Sequence, residues 1–198
     1  MISCFKGKFK VTSPRGYRTN PITGVKGTYH KGIDLVGLDD TTVYSICDGT
    51  VRTAYQADGA GHYVVVTMAD GRRVYYMHLK ANSFKVKTGD KVKKGQALGV
   101  MGSTGASTGA HTHLELRPAG TTGDSLDICE FTGLTNAVGV YEYKEEKMLT
   151  SANDIVWELN HSYFPITETA KFVKELEEAK QKNASLYWGY YKLVNKIK

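Results

Sequence analysis

Apolar residues in the first two thirds of the chain come in short runs separated by glycine-containing turns, and the runs have the two-residue period of strands rather than the 3.6-residue period of helices. Residues 42–47 read as a strand, with Asp48-Gly49 turning the chain into a second at 50–56. The β-branched run 63–68 meets Asp70-Gly71, a strong hairpin signal, and 72–78 returns. Thr88-Gly89-Asp90 and Lys94-Gly95 bracket a short valine-containing strand, and 111–117 alternates His, His, Glu, Arg with Thr, Leu, Leu. Short strands at this spacing predict a mainly β domain, an antiparallel sheet closed as a barrel or stacked as a sandwich.

Near residue 147 the period changes. Ser151 and Asp154 form a capping box ahead of Ile155, Val156 and Leu159. Thr167 caps a second helix bearing Ala170, Val173, Leu176 and Ala179, and Ser185 caps a third bearing Tyr187, Tyr190, Val194 and Ile197. The expected organisation is a β domain over 1–146 and a small α-helical bundle over 147–198, α+β overall. The bundle's tyrosines and tryptophans can stack on sugars or fill its core, and their helical spacing favours the core.

Composition changes this picture little. The net charge of +6 suits an anionic wall polymer, while the absence of an arginine-rich stripe with interleaved aromatics argues against nucleic acid. Cys4, Cys47 and Cys129 are odd in number and widely spaced, which predicts neither a disulfide framework nor a cysteine metal site. The first ten residues alternate apolar and basic positions, unlike a signal peptide, and no apolar run is long enough to span a bilayer. The expectation is synthesis in a cytoplasm without a signal peptide. The sequence leaves the oligomeric state open.

The histidines carry the chemistry. His30 and Asp34 are four apart around Gly32; on a helix or on an extended strand they share a face, and the glycine leaves room between them. His111 and His113, two apart, share one face of a strand, and imidazoles held that close favour the neutral, metal-ready state. His78 adds a fifth candidate at a strand end. Two histidines and a carboxylate with an open fourth position form a catalytic zinc set, although spacing does not decide which of His111 and His113 would bind.

These residues fall in order in Tyr29-His30-Lys31-Gly32-Ile33-Asp34, in Tyr76-Met77-His78-Leu79, and in the stretch from Gly102-Ser103-Thr104-Gly105 to His111-Thr112-His113-Leu114-Glu115. In that order they closely resemble the motifs of the lysostaphin/LytM-type zinc metallopeptidases, which cleave peptidoglycan peptides. The segments from Thr12 to Gly24 and from Val86 to Gln96 are similar to the same family, so the resemblance spans roughly residues 11–130. It implies one zinc ion held by His30, Asp34 and His113, with His78 and His111 as catalytic histidines, and peptidoglycan peptides as substrate. His62 stands where family members often carry asparagine, and Thr67-Met68 replaces a polar pair. Tyr17 and Arg18 are further candidates for substrate contact.

Residues 186–193 resemble tails of cell-wall hydrolases of phages infecting Gram-positive bacteria, which implies an endolysin that reaches the wall after holin-type or other release. Two other readings compete. One is a catalytically inactive scaffold of the same fold that binds wall or activates a hydrolase. The other is a biotinyl- or lipoyl-type carrier, suggested by the turns of 86–99 but lacking a convincing modifiable lysine.

Overall fold

Phe9 and Val11 are fully buried while Lys8, Lys10 and Thr12 face solvent, so the alternation at the N-terminus is that of a strand with one wet face. The computed structural model describes residues 1–120, 123–144 and 178, and Met1–Lys144 form one compact unit. The helices expected over 151–198, and with them the bundle and the boundary at 146/147, lie outside the described residues.

The strands in chain order are β1 (Gly7–Ser13), β2 (Gly16–Arg18), β3 (Thr28–His30), β4 (Ile33–Gly37), β5 (Thr42–Tyr44) and β6 (Gly49–Gln56). They continue with β7 (Gly61–Thr67), β8 (Arg73–Leu79), β9 (Lys91–Val92), β10 (Ala97–Val100), β11 (Thr112–Arg117) and β12 (Gly139–Tyr143). Eight of them form an antiparallel sheet in the order β12-β1-β4-β11-β8-β7-β6-β9. This sheet is open, with β12 and β9 as its edges, so the barrel alternative does not hold. The sandwich alternative holds in part. A small sheet, β5 with β10, brings Val43 and Leu98 onto the core of the large one.

The large sheet has two unlike faces. Phe9 and Val11, Ile33 and Leu35, Leu114 and Leu116, Val74 and Tyr76, and Val64 and Val66 point into the main core, where Cys4, Phe5, Ile46 and Ile128 close over them. Burying each large apolar side chain there contributes about 1.5–3 kcal/mol. Tyr76 is fully buried and satisfies its hydroxyl by accepting the Ile46 N–H at 2.8 Å. The opposite face carries Asp34, His113 and Glu115 beside a smaller cluster of Ala60, Val65, Tyr75 and Met77.

The short helix α1 (Ile128–Thr132) was not expected from the sequence; Asp127 caps it by accepting the Cys129 and Glu130 N–H groups. All three cysteines are free and buried, and burial pushes the thiols of Cys47 and Cys129 up to about 11. No helix among the described residues is long and apolar enough to cross a membrane.

Candidate metal centre

His30 ends β3, and Asp34 is the second residue of β4; residues 31 and 32 are a break between the strands, neither helix nor continuous strand. The break folds the two side chains together, with His30 Nε2 3.2 Å from Asp34 Oδ1. Antiparallel pairing of β4 with β11 sets His113 directly opposite Asp34. His113 Nδ1 then lies 2.9 Å from Asp34 Oδ1 and 2.9 Å from His30 Nε2. One ligand atom from each of these residues falls within 4.8 Å of the others, a set that could hold a metal ion.

Gly32 makes this approach possible. A Cβ there would stand 2.6 Å from His113 Nε2 and collide with the Leu114 carbonyl, so the glycine makes room for the opposing strand and its ring. Gly32→Ala is therefore expected to cost about 1–3 kcal/mol in chemical denaturation and to weaken zinc binding in the same preparation.

His78 reaches the site by a different device. Strict alternation along β8 would turn it to the main core with Val74 and Tyr76. Between His62 and Val64, however, two steps on β7 oppose three on β8, and His78 takes a left-handed backbone with φ of 63°. The bulge sends Leu79 into the core in its place and swings His78 to the open face, 4.7 Å ring to ring from His111. A non-glycine residue held at such a φ costs about 1–3 kcal/mol, the kind of strain found at functional sites.

Each of the four rings is oriented by its outer nitrogen. His30 Nδ1 bonds the Pro14 carbonyl at 2.8 Å, His78 Nδ1 the Thr104 carbonyl at 2.8 Å, and His111 Nδ1 the Gly109 carbonyl at 2.7 Å. A carbonyl only accepts, so these nitrogens carry the hydrogens and every Nε2 is left bare. His113 is turned the other way, with Nε2 3.4 Å from the Glu115 carboxylate and Nδ1 facing inward. Glu115, 2 % exposed, is itself held by Arg117 Nε at 2.8 Å and Nη2 at 3.1 Å. Glu115 was not among the sequence candidates, although its place two beyond His113 on the same strand face points to it.

This donor chemistry fits a divalent cation. Two imidazole nitrogens and a carboxylate oxygen converge there, and the set of two histidines and one carboxylate suits zinc. Burial works against a charge on Asp34, yet the interactions with His113 and His30 outweigh it and hold the carboxyl far below the usual range. Burial also disfavours a proton on His113, but hydrogen bonds to Asp34 and Glu115 raise the ring to about 9. Glu115, despite its burial, is brought down to about 2 by His113 and Arg117. In the metal-free protein a proton on His113 thus does the neutralising.

The folded value of His113 lies above the ordinary 6.5, so its contribution to stability is full below pH 6.5 and is lost as pH rises toward 9. The melting temperature of chelator-treated protein is expected to fall over that window, and zinc added at pH 7.5 to release a proton, measurable by calorimetry in buffers of different ionisation enthalpy.

The remaining sequence candidates divide. Arg18 reaches the centre, with Nη1 2.7 Å from Ser13 Oγ and 3.6 Å from Asp34 Oδ2, whereas Tyr17 is 80 % exposed and packs on Tyr29. His62 stands apart from the metal set, against Tyr55 and Phe84, and His161 lies outside the described residues. Two grooves meet at His78 and His113. One runs past Arg18, Asn20 and His111; the other, of about 430 Å³, runs past Tyr75, Tyr63 and Arg52.

An open antiparallel sheet that presents a His–Asp–His set beside two further inward-facing histidines defines a metallopeptidase-type site. The chain belongs to peptidase family M23, whose profile matches residues 28–126. It is 30% identical to the glycyl-glycine endopeptidase ALE-1 of Staphylococcus capitis over 88% of this chain and 54% of that protein. It is 36% identical to the peptidoglycan DD-endopeptidase ShyC of Vibrio cholerae over 50% of this chain and 22% of that one. The fold resembles the catalytic domain of the antimicrobial peptidase lysostaphin from Staphylococcus simulans, at a TM-score of 0.56 and 31% identity, covering 64% of this chain and 93% of that domain. The chain spans between 22% and 54% of the length of the curated relatives it matches.

Proposed function

We propose that the chain is a zinc-dependent endopeptidase that hydrolyses peptide cross-links of bacterial peptidoglycan. The observation that carries this reading is the convergence of His30, Asp34 and His113 beneath two histidines whose bare Nε2 atoms face the same cleft. The names of the relatives, a glycyl-glycine endopeptidase and a peptidoglycan DD-endopeptidase, supply the substrate class.

His30, Asp34 and His113 would hold the ion. A zinc ion there supplies Lewis acidity, which polarises the scissile carbonyl and makes water acidic near neutral pH. His78 and His111 then act as proton carriers. Burial pushes the His78 imidazole down to about 4, against the pull of its bond to the Thr104 carbonyl, so Nε2 is an acceptor at neutral pH. A proton taken there turns the ring into a donor for the developing oxyanion or the leaving amine. The low dielectric of the half-buried cleft strengthens both interactions.

In this reading the protein is a phage endolysin or a phage-derived lytic enzyme of Gram-positive hosts, acting on the wall after release from the cell that makes it; the resemblance of residues 186–193 to phage hydrolase tails supports that context. The core is compatible with glycyl bridges and with D-Ala to diaminopimelate links. Zinc-loaded protein is expected to release new amino groups from purified peptidoglycan, to stop on chelation, and to yield fragments whose masses assign the bond. Stoichiometric zinc without any amino-group release would instead overturn the endopeptidase reading in favour of a non-catalytic protein of the same fold.

A further inference from the structure

The groove that leaves the metal centre past Tyr75 ends at Arg52, a cation with no carboxylate partner among the described residues. Register across the sheet places Arg52 opposite Val65, Val65 opposite Tyr75, and Tyr75 opposite Glu115, so these four share one row and one face. Between the ends of the row the Tyr63 and Tyr75 rings stack at 6.2 Å with planes 16° apart. Each is overlaid by an arginine, Arg117 at 4.1 Å from the Tyr75 ring and Arg52 at 5.5 Å from that of Tyr63.

The two arginines differ in their partners. Arg117 is committed to Glu115 through two hydrogen bonds. Arg52 is exposed, and its partner among the described residues is the Tyr63 hydroxyl, at 3.5 Å. A planar guanidinium held over an aromatic ring is preset for bidentate binding of a carboxylate.

We propose that Arg52 is a specificity-determining residue that binds a free carboxylate of the wall peptide, while the Tyr63–Tyr75 pair carries the intervening peptide. This rests on the peptidase reading above and names the part of the substrate that the groove recognises. Three strand spacings separate β11 from β6, which puts Arg52 ~14 Å across the sheet from the strand of His113. An extended peptide covers that distance in roughly four residues. A glycine bridge offers no side-chain charge, so the group read is a carboxylate of the stem peptide, such as the α-carboxylate of its γ-linked glutamate.

The probe is the stem peptide L-Ala–γ-D-Glu–L-Lys–D-Ala bearing a pentaglycine branch on lysine, made with the glutamate α-carboxylate free or as its carboxamide. Binding to the full chain is measured by calorimetry after chelation of metal, and KM for hydrolysis after zinc loading. The native chain is expected to bind the free acid about tenfold more tightly than the carboxamide, a preference that weakens with salt. Arg52→Gln should bind both forms with the weaker affinity and raise KM for the acid with little change in kcat; Arg52→Lys should restore part of the preference. Equal binding of the two forms by the native chain, or a preference that survives in Arg52→Gln, overturns the proposal. Failure of the zinc-loaded chain to cleave either form overturns the peptidase reading, and the binding preference then still decides the role of Arg52. The exposed position lets both variants fold, which circular dichroism verifies.

Discussion

Replacing Asp34 with alanine is expected to strip the centre of metal and abolish wall hydrolysis. The carboxylate is the hub of the site: His113, His30 and Arg18 all lie within 3.6 Å of one of its oxygens. Its removal deletes one candidate ligand and leaves two imidazole nitrogens 2.9 Å apart with no anion to hold a shared cation. Loss of a supporting hydrogen bond alone typically costs 10–100-fold in metal affinity, and loss of a ligand exceeds that. Elemental analysis of dialysed protein should show zinc in the native chain and little in Asp34→Ala, with amino-group release from peptidoglycan falling to background. Asp34→Asn separates charge from shape, because the amide keeps the size of the side chain and donates where the carboxylate accepts. In the metal-free state either change also removes the largest attraction holding a proton on His113, so the decline in melting temperature between pH 6.5 and 9 should flatten. Native zinc content in Asp34→Ala would remove Asp34 from the ligand set.

How far the sequence could be read depended on whether an interaction belongs to a side chain or to the backbone. Period-two spacing placed His111, His113, Glu115 and Arg117 on one face of a strand, and β11 carries His113, Glu115 and Arg117 as that pattern requires. The turn at Asp70-Gly71 was equally plain, since a glycine there accepts a φ of 84° without cost. Other features had no sequence signature. The carbonyls of Pro14, Thr104 and Gly109 orient three of the histidines, and any residue type supplies a carbonyl. The bulge that turns His78 out of the core depends on the pairing of β8 with β7, so alternation alone would have buried that ring; its place at a strand end made it a candidate, and the family resemblance implied its catalytic role. The break between His30 and Asp34 likewise appears only when β3 pairs with β2 and β4 with β11. The edge strand β12 (Gly139–Tyr143) was missed because its inward Tyr141 and Tyr143 are only partly buried and Val140 on its other side is exposed, which blurs the alternation.

Replacing His111 or His78 with alanine is expected to do the opposite of Asp34→Ala: zinc stays and turnover falls by about 10²–10⁴. Neither ring is in the His30–Asp34–His113 set, and each is anchored by its outer nitrogen to a loop carbonyl rather than to a ligand. The pH profile tells the two apart. His78 has a folded value lowered from 6.5 to about 4 by burial, so it remains an acceptor well below the ordinary imidazole range. If His78 removes the proton from water, the acid limb of kcat/KM lies well below pH 6.5 and disappears from the residual activity of His78→Ala, while His111→Ala keeps it. The same shift contributes to stability in a defined window. A histidine with a depressed value stabilises the fold above pH 6.5, and that contribution is lost as pH falls toward 4. His78→Ala should therefore flatten the acid side of the stability curve, measured by chemical denaturation, as well as the acid limb of activity. An acid limb unchanged in His78→Ala would transfer the role of base to His111 and leave His78 to the oxyanion.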